Sequence, residues 1–423
     1  MIKLKDRIKR LRRGADYENY YTALDIGTEY VKALVVKREG RHGMVLGASR
    51  LRQDLSELEG VAPANLQGVI DTCDRVMSSA EDMCDTIPGQ AVIGMAGEQI
   101  KGFSTSITVP RGDATQKINE TELIQALQLV QKRALREAQH AMSLELGVPD
   151  TDVKLLNSVI TTARIDGYPV ANPLGFAGRT MVLSVFNTFA PQGQVSALQA
   201  IATELDLEVV ATVCEPYTMA RSAATDQVID FGGIFIDIGG ATTDIALIRN
   251  GGIESTRMFP IGGRVFTKKL ASRFGISFAD AEAVKLRHAR RELPPEHTEK
   301  VHAVLARDAE VLVEGIALTL SEMSKGDQLP AAIYLAGGGS CLSEVQEQLK
   351  SFPWQEKLAF PRTPSIQVLR PEDMRGIYDS TGLLQGPQDI TPMSLAFYAI
   401  QQQSEEQAPL FALMRKVLKG MKV

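Results

Sequence analysis

Short apolar runs broken by glycines, and longer stretches of helical period, divide this chain between them. The first kind predicts strands across Tyr20–Val36 as a hairpin, then at Met44–Ser49, Gln90–Met95, Gly102–Val109, Val153–Ile165, Arg179–Val185 and Leu207–Val213. Further apolar runs fall within Gly233–Leu247 and at Ile333–Ala336. Apolar residues recurring every three to four positions predict helices over Leu66–Met77, Glu120–Leu146, Val195–Thr203, Glu296–Lys325, Leu342–Leu349 and Pro392–Gln401. Asn119, with Glu122 three residues on, reads as a capping-box opening for Glu120–Leu146. This mixture is that of an α/β protein.

The stretch Gly233–Leu247 organises the rest. It is an apolar run ending at Asp237, a turn through Gly239, Gly240, Ala241, Thr242 and Thr243, and a second apolar run, which together read as a hairpin. Backbone N–H groups and hydroxyls at such a tip can receive phosphate oxygens, and Asp237 can reach a hydrated magnesium ion. Taken alone, an ordinary buried hairpin reads the same way. Near the front, Asp25-Ile26-Gly27-Thr28 repeats the grammar between apolar runs, with Lys32 following. Later, Ile333–Ala336 breaks into Gly337-Gly338-Gly339 before a helix.

Two Asp-Gly-Thr hairpins and a late strand-glycine-helix, in that order, resemble the actin-like ATPases, of ribonuclease-H-like fold. The resemblance implies two core domains clasping ATP and Mg2+. Asp25, Gly27, Thr28 and Lys32 would come from one hairpin and Asp237, Gly239, Gly240, Ala241, Thr242 and Thr243 from the other. Asp25 and Asp237 would hold the metal through water, and Gly337, Gly338 and Gly339 would leave room for adenosine. Gly262 and Gly263 fall where the family places a helix N-terminus beside the nucleotide, a favourable anion site. Glu282 and Lys285, three apart on one helical face behind a cap at Ser277, are implied to reach ribose and adenine; a surface salt bridge is the plainer reading. Glu215, before Pro216, is placed to orient a nucleophile as the catalytic residue, in an enzyme that is at most a slow Mg-dependent ATPase. A plain helix opening with Pro216 at its first position reads equally.

Composition narrows the class. A chain of 423 residues exceeds one hydrophobic core, and 44% hydrophobic with 23% charged residues is globular. A net charge of −5 without a basic stripe argues against nucleic acid as a partner. Cys73, Cys84, Cys214 and Cys341 form no CxxC pair, so neither a zinc cage nor a disulfide framework is expected. No apolar run reaches the ~20 residues that span a bilayer, and no signal peptide is read, so a cytoplasmic protein is expected.

Residues 97–183 interrupt the core and carry Asp166-Gly167-Tyr168 and Asn172-Pro173-Leu174-Gly175 in a turn-rich loop. With Leu24–Thr28 and Ala281-Glu282-x-x-Lys285, they make the chain similar to FtsA, the bacterial division family that anchors FtsZ filaments to the membrane. The resemblance implies core domain I at 17–96 with 184–228 and 386–402, and an inserted SHS2-like subdomain at 97–183 through which copies polymerise. Core domain II would span 229–385, with a fourth subdomain reduced to helices at 267–327. FtsA proteins carry several strands between the positions of Lys285 and Ile333, in the subdomain that binds the FtsZ tail. Here that stretch reads as helices only, so the FtsZ partnership is the implication placed under most strain.

Both ends carry charge patterns. Residues 1–16 form a basic extension with a narrow apolar face. After a polar linker at 403–408, residues 409–423 form an amphipathic helix. Leu410, Phe411, Met414, Val417 and Leu418 share one face, and Arg415, Lys416 and Lys419 flank it. Its physics is that of an anchor on an anionic membrane surface, and a helix packed back on the core is the alternative. The resulting expectation is a filament-forming ATP-binding adaptor, peripheral on the cytoplasmic face of the cell membrane at the division site. A PilM-like adaptor for a pilus membrane protein is the runner-up; a kinase of sugar type is the third reading, for which the sequence offers no obvious Asp-based hydroxyl-activating motif beyond the phosphate hairpins.

Overall fold

The computed structural model describes residues 19–53, 58–59, 62–63, 66–97, 99–148, 151–405 and 409–421. The basic extension at 1–16 and the linker positions 406–408 lie outside the described residues. Among those described, no helix is long and apolar enough to cross a membrane.

The chain opens with a meander of β1 (Tyr20–Ile26), β2 (Tyr30–Glu39) and β3 (His42–Arg52), followed by the two-residue strands β4 (Leu58–Glu59) and β5 (Ala62–Pro63). Helix α1 (Leu66–Cys84) and β6 (Gln90–Met95) complete this half. The interruption comprises β7 (Lys101–Pro110), α2 (Glu120–Leu146), β8 (Val153–Ile165), β9 (Tyr168–Pro169) and β10 (Thr180–Pro191). The core resumes with α3 (Gln192–Glu204), β11 (Glu208–Cys214), α4 (Glu215–Ala223) and α5 (Asp226–Phe231). A second meander, β12 (Gly233–Ile238), β13 (Thr243–Arg249) and β14 (Gly252–Phe259), leads into α6 (Gly263–Phe274), α7 (Phe278–Ala289) and α8 (Pro295–Ser324). Then come β15 (Ala332–Ala336), α9 (Ser343–Ser351), α10 (Trp354–Lys357), β16 (Ser365–Val368), β17 (Ile377–Asp379), α11 (Ile390–Glu405) and α12 (Pro409–Met421).

Two sheets carry the architecture. A six-stranded sheet runs β11-β6-β1-β2-β3-β17 and a nine-stranded one β16-β15-β12-β13-β14-β7-β10-β8-β9. In each, a meander meets a parallel strand, β6 beside β1 and β15 beside β12, so the two halves repeat one plan. Between them lies a shared apolar layer in which Tyr217 of α4 stacks on Phe186 with ring centroids 5.6 Å apart. A second core, around Leu305, Leu312, Ile316 and Trp354, holds α8 against β12 and β15. Residues 286–331 form only the end of α7, a turn and α8, with no strand.

The inserted strands do not form a separate sheet. β7 pairs with β14 through Ser255–Phe103 and Thr256–Gly102, which makes the insertion an extension of the second sheet. A side chain at Gly102 would put its Cβ 2.1 Å from Thr256 Oγ1, so the junction requires glycine. At the start of α2, Asn119 Oδ1 accepts the Glu122 N–H at 2.9 Å. The reciprocal half of the capping box is not made, because the Glu122 carboxylate pairs with Arg111 at 2.6 Å instead.

Two expectations for the C-terminal region change. Residues 403–405 of the expected linker continue α11, since glutamine and glutamate are good helix formers. Helix α12 does not stand away from the body. It lies against α2, with Leu413, Met414 and Val417 buried among apolar residues of the inserted subdomain.

Candidate functional site

The two hairpin tips face each other across a cleft of about 550 Å³. Asp25, Gly27, Thr28 and Lys32 line one wall; Asp237, Gly239, Gly240 and Thr242 line the other. Glu215 at the start of α4, Gly263 at the start of α6, Glu282 and Lys285 of α7, and Gly337–Gly339 complete it. Ala241, Thr243 and Gly262 stand behind that lining. Thr243 is buried and donates to the Ile261 carbonyl at 2.7 Å. A Cβ at Gly262 would lie 2.8 Å from the carbonyl oxygens of both Gly239 and Gly240, so α6 begins hard against the second tip.

The glycine run after β15 has a divided role. At Gly337, φ is +80° and a Cβ would meet Asp237 Oδ1 at 2.0 Å. At Gly339 it would meet Ile238 Cγ2 at 2.3 Å. These two glycines let the chain pack on β12, whereas Gly338 has nothing nearer than Gln388 Cβ at 4.0 Å and faces open space.

Negative charge dominates the floor. Lys32 Nζ reaches Asp25 Oδ2 at 2.9 Å. Burial works against the Lys32 ammonium, but Asp25, then Asp237 and Glu215, outweigh it and hold its pKa above the ordinary value. Scarce water and repulsion from Asp25, Asp244 and Asp237 push Glu215 well up. Asp237 is raised by the same loss of water despite the 2.5 Å hydrogen bond from Thr391 Oγ1. Asp244, hydrogen-bonded by Thr242 at 3.2 Å, is pushed up to about 8, by burial first and Asp237 second. Asp25, Glu215 and Asp237 act on Lys32 and Asp244 lies beside Asp237, a gathering of acidic side chains that a cation would relax. Among the described residues no three His, Cys, Asp or Glu side chains converge to ligate a metal directly.

The tips also touch each other. Ala241 N–H donates to Thr28 Oγ1 at 3.1 Å, and the Arg264 guanidinium donates to the Thr28 carbonyl at 2.6 Å and to the Glu29 carboxylate. Arg52 adds a bond to Glu29 at 3.3 Å. This clasp was not anticipated from sequence, where nothing links residues so far apart. Arg50, Arg290, Gln385, Gln388 and Thr391 also line the cleft unforeseen, since each sits in a segment without a motif.

Glu282 and Lys285 are not a surface pair. Lys285 Nζ bonds Glu282 at 2.8 Å, Thr267 Oγ1 at 2.8 Å and the Gly263 carbonyl at 3.0 Å, fastening α7 to the first turn of α6. Behind them, the buried Glu344 carboxylate receives His288 Nε2 at 2.6 Å and His302 Nδ1 at 2.8 Å.

Comparison with known proteins follows the same lines. The family model described as cell division protein FtsA matches residues 234–371. Cell division protein FtsA of Pseudomonas aeruginosa is 25% identical over 407 residues, covering 90% of this chain and 89% of that protein. Its counterpart from Streptococcus pneumoniae is 22% identical over 419 residues, covering 92% and 88%. Among solved structures, a chain of the PilM-PilN type IV pilus biogenesis complex superposes with a TM-score of 0.59 at 17% identity, over 90% of this chain and 98% of that one. Ethanolamine utilization protein EutJ from Carboxydothermus hydrogenoformans gives a TM-score of 0.50 at 17% identity, covering 90% and 89%. With its paired hairpins and repeated sheet plan, the chain has the actin-like ATPase fold, and along most of its length it is similar to cell division protein FtsA.

Proposed function

We propose that this chain is a filament-forming cell-division protein of the FtsA kind, which binds ATP and magnesium in the cleft and links division components to the cytoplasmic face of the membrane. The observation that carries this reading is the pair of Gly/Thr hairpin tips facing across one acid-rich cleft. Backbone N–H groups of Gly240 and Thr242 and the Thr28 hydroxyl would receive phosphate oxygens; the first N–H groups of α6 are taken by the Gly239 and Gly240 carbonyls at 2.9 and 2.7 Å, so that helix supports the tip and not the ligand directly. Asp25 and Asp237 would hold magnesium through its waters; when bound, the ion supplies charge neutralisation at the phosphates. Lys32 holds Asp25 in place. Glu215 would orient a water; burial first and its acidic neighbours second hold its pKa well above the ordinary value, and a bound cation would favour its charged form. Turnover is expected to be slow.

Copies would assemble through the inserted subdomain, and a row of tails would bind a membrane by avidity that one tail lacks. FtsZ is the partner the family implies, yet the stretch between Lys285 and Ile333 holds only helices. Liposome flotation with the organism's own FtsZ, with and without ATP, tests this. FtsZ floating only with this protein and ATP supports the reading. If this protein floats and FtsZ stays behind, the partner assignment fails and a different division component takes its place.

A further inference from the structure

Helix α12 presents Leu413, Met414 and Val417, flanked by Leu410, Leu418 and Met421, to protein, while Phe411 lies outside that cluster. Leu413, Met414 and Val417 are 8%, 3% and 2% exposed, in one cluster with Leu127 and Val130 of α2 and Val185 of β10. Gln131 of α2, itself buried, donates to Met414 Sδ at 3.3 Å, to Ser158 Oγ at 2.6 Å and to Asn187 Oδ1 at 3.2 Å. Arg415, Lys416 and Lys419 lie on the exposed side.

One set of apolar side chains cannot lie in this groove and in a lipid interface at once. Both environments remove similar apolar area from water, so the two states compete closely. We propose that the groove between α2 and the inserted sheet is a docking site for the chain's own tail, which stores the lipid-binding face until an anionic membrane displaces it. The inference rests on the membrane reading above. While the tail is docked, its exposed cations still draw the protein towards an anionic surface. The apparent lipid affinity is lowered by the undocked fraction, so any change that loosens the groove strengthens membrane binding without touching the tail.

The test changes the groove and leaves the tail intact. Gln131→Glu replaces the donating amide by a carboxylate, which can accept from the Ser158 hydroxyl and, once the Asn187 side-chain amide turns, from its NH2 group, and which places a negative charge against Met414. On vesicles containing phosphatidylglycerol, the full-length variant should bind about fivefold more than wild type at limiting lipid, the ratio expected for weakening one buried contact. On phosphatidylcholine vesicles neither should bind. Equal binding of the two chains to anionic vesicles overturns the proposal. Hydrogen exchange on the full chain in solution gives a second reading: residues 410–421 should be protected to a degree comparable with α2. Exchange at the rate of an undocked helix, with strong vesicle binding by wild type, overturns storage while leaving the membrane reading intact. Protection of the tail with no vesicle binding by either chain overturns both, and makes α12 a structural helix of the inserted subdomain.

Discussion

Glu29 and Arg264, one on each hairpin side of the cleft, form an ion pair whose side chains are largely withdrawn from water. Arg264 also holds the Thr28 carbonyl, so a single guanidinium ties the first tip to the start of α6. Removing one partner leaves the other charge poorly compensated, and Arg264→Ala is expected to lower stability by about 2 kcal/mol. A double-mutant cycle with Glu29→Ala should return a coupling of about 1–3 kcal/mol. Additive losses would mean that the clasp is not formed in solution.

Gly337→Ala and Gly338→Ala should separate packing from ligand space. At Gly337 the added carbon meets Asp237 and the backbone lies at φ +80°, so the variant should melt well below wild type. At Gly338 the carbon has room, so stability should hold while ATP binding weakens, if adenosine occupies that space. Calorimetric titration of a normally melting Gly338→Ala at wild-type affinity would place adenosine elsewhere.

Asp244 gives a pH signature. Its ordinary pKa of 3.8 is pushed up to about 8, so between those values the folded chain keeps a proton that the unfolded chain releases. The native state then binds more protons, and the contribution of this site to stability falls as pH rises through that window. Asp244→Asn removes that slope. Its melting temperature relative to wild type should improve between about pH 5 and about pH 8. A pH-independent difference would show that the carboxyl is ionised in the fold.

Glu344 behaves oppositely. Burial opposes its charge, but its own backbone N–H and the bonds from His288 and His302 outweigh that and hold its carboxyl below the ordinary 4.5. The stability it contributes is fully present above that ordinary value and is lost as pH falls through the lowered one. Glu344→Gln should cost about 3 kcal/mol at neutral pH and less in acid, seen as converging denaturation midpoints. Parallel midpoints across pH would contradict the pairing.

Local signals carried most of the fold and stopped at long-range ones. The hairpins were legible because apolar runs meet at Asp-Ile-Gly, and α2 was read over Glu120–Leu146 with Asn119 as its cap; the structure ends it at Gly147, with φ 64°. The two-residue bridge from β7 to β14 and the Glu29–Arg264 clasp leave no local trace. Helix α12 exposes a deeper ambiguity: a basic amphipathic helix has the same pattern whether its apolar face meets lipid or a protein groove. The threonines, glycines and carboxylates of the cleft could be picked out by motif. Gln385 and Gln388, which arrive at the cleft on the approach to α11, and Thr391 in its first turn could not.

The measurement closest to the central claim is calorimetric titration of ATP with magnesium into the wild-type chain and into Asp237→Asn. The account predicts saturable binding to wild type that requires magnesium, weakened about tenfold or more in the variant. No binding by a folded wild-type chain, or equal binding by both, would contradict it.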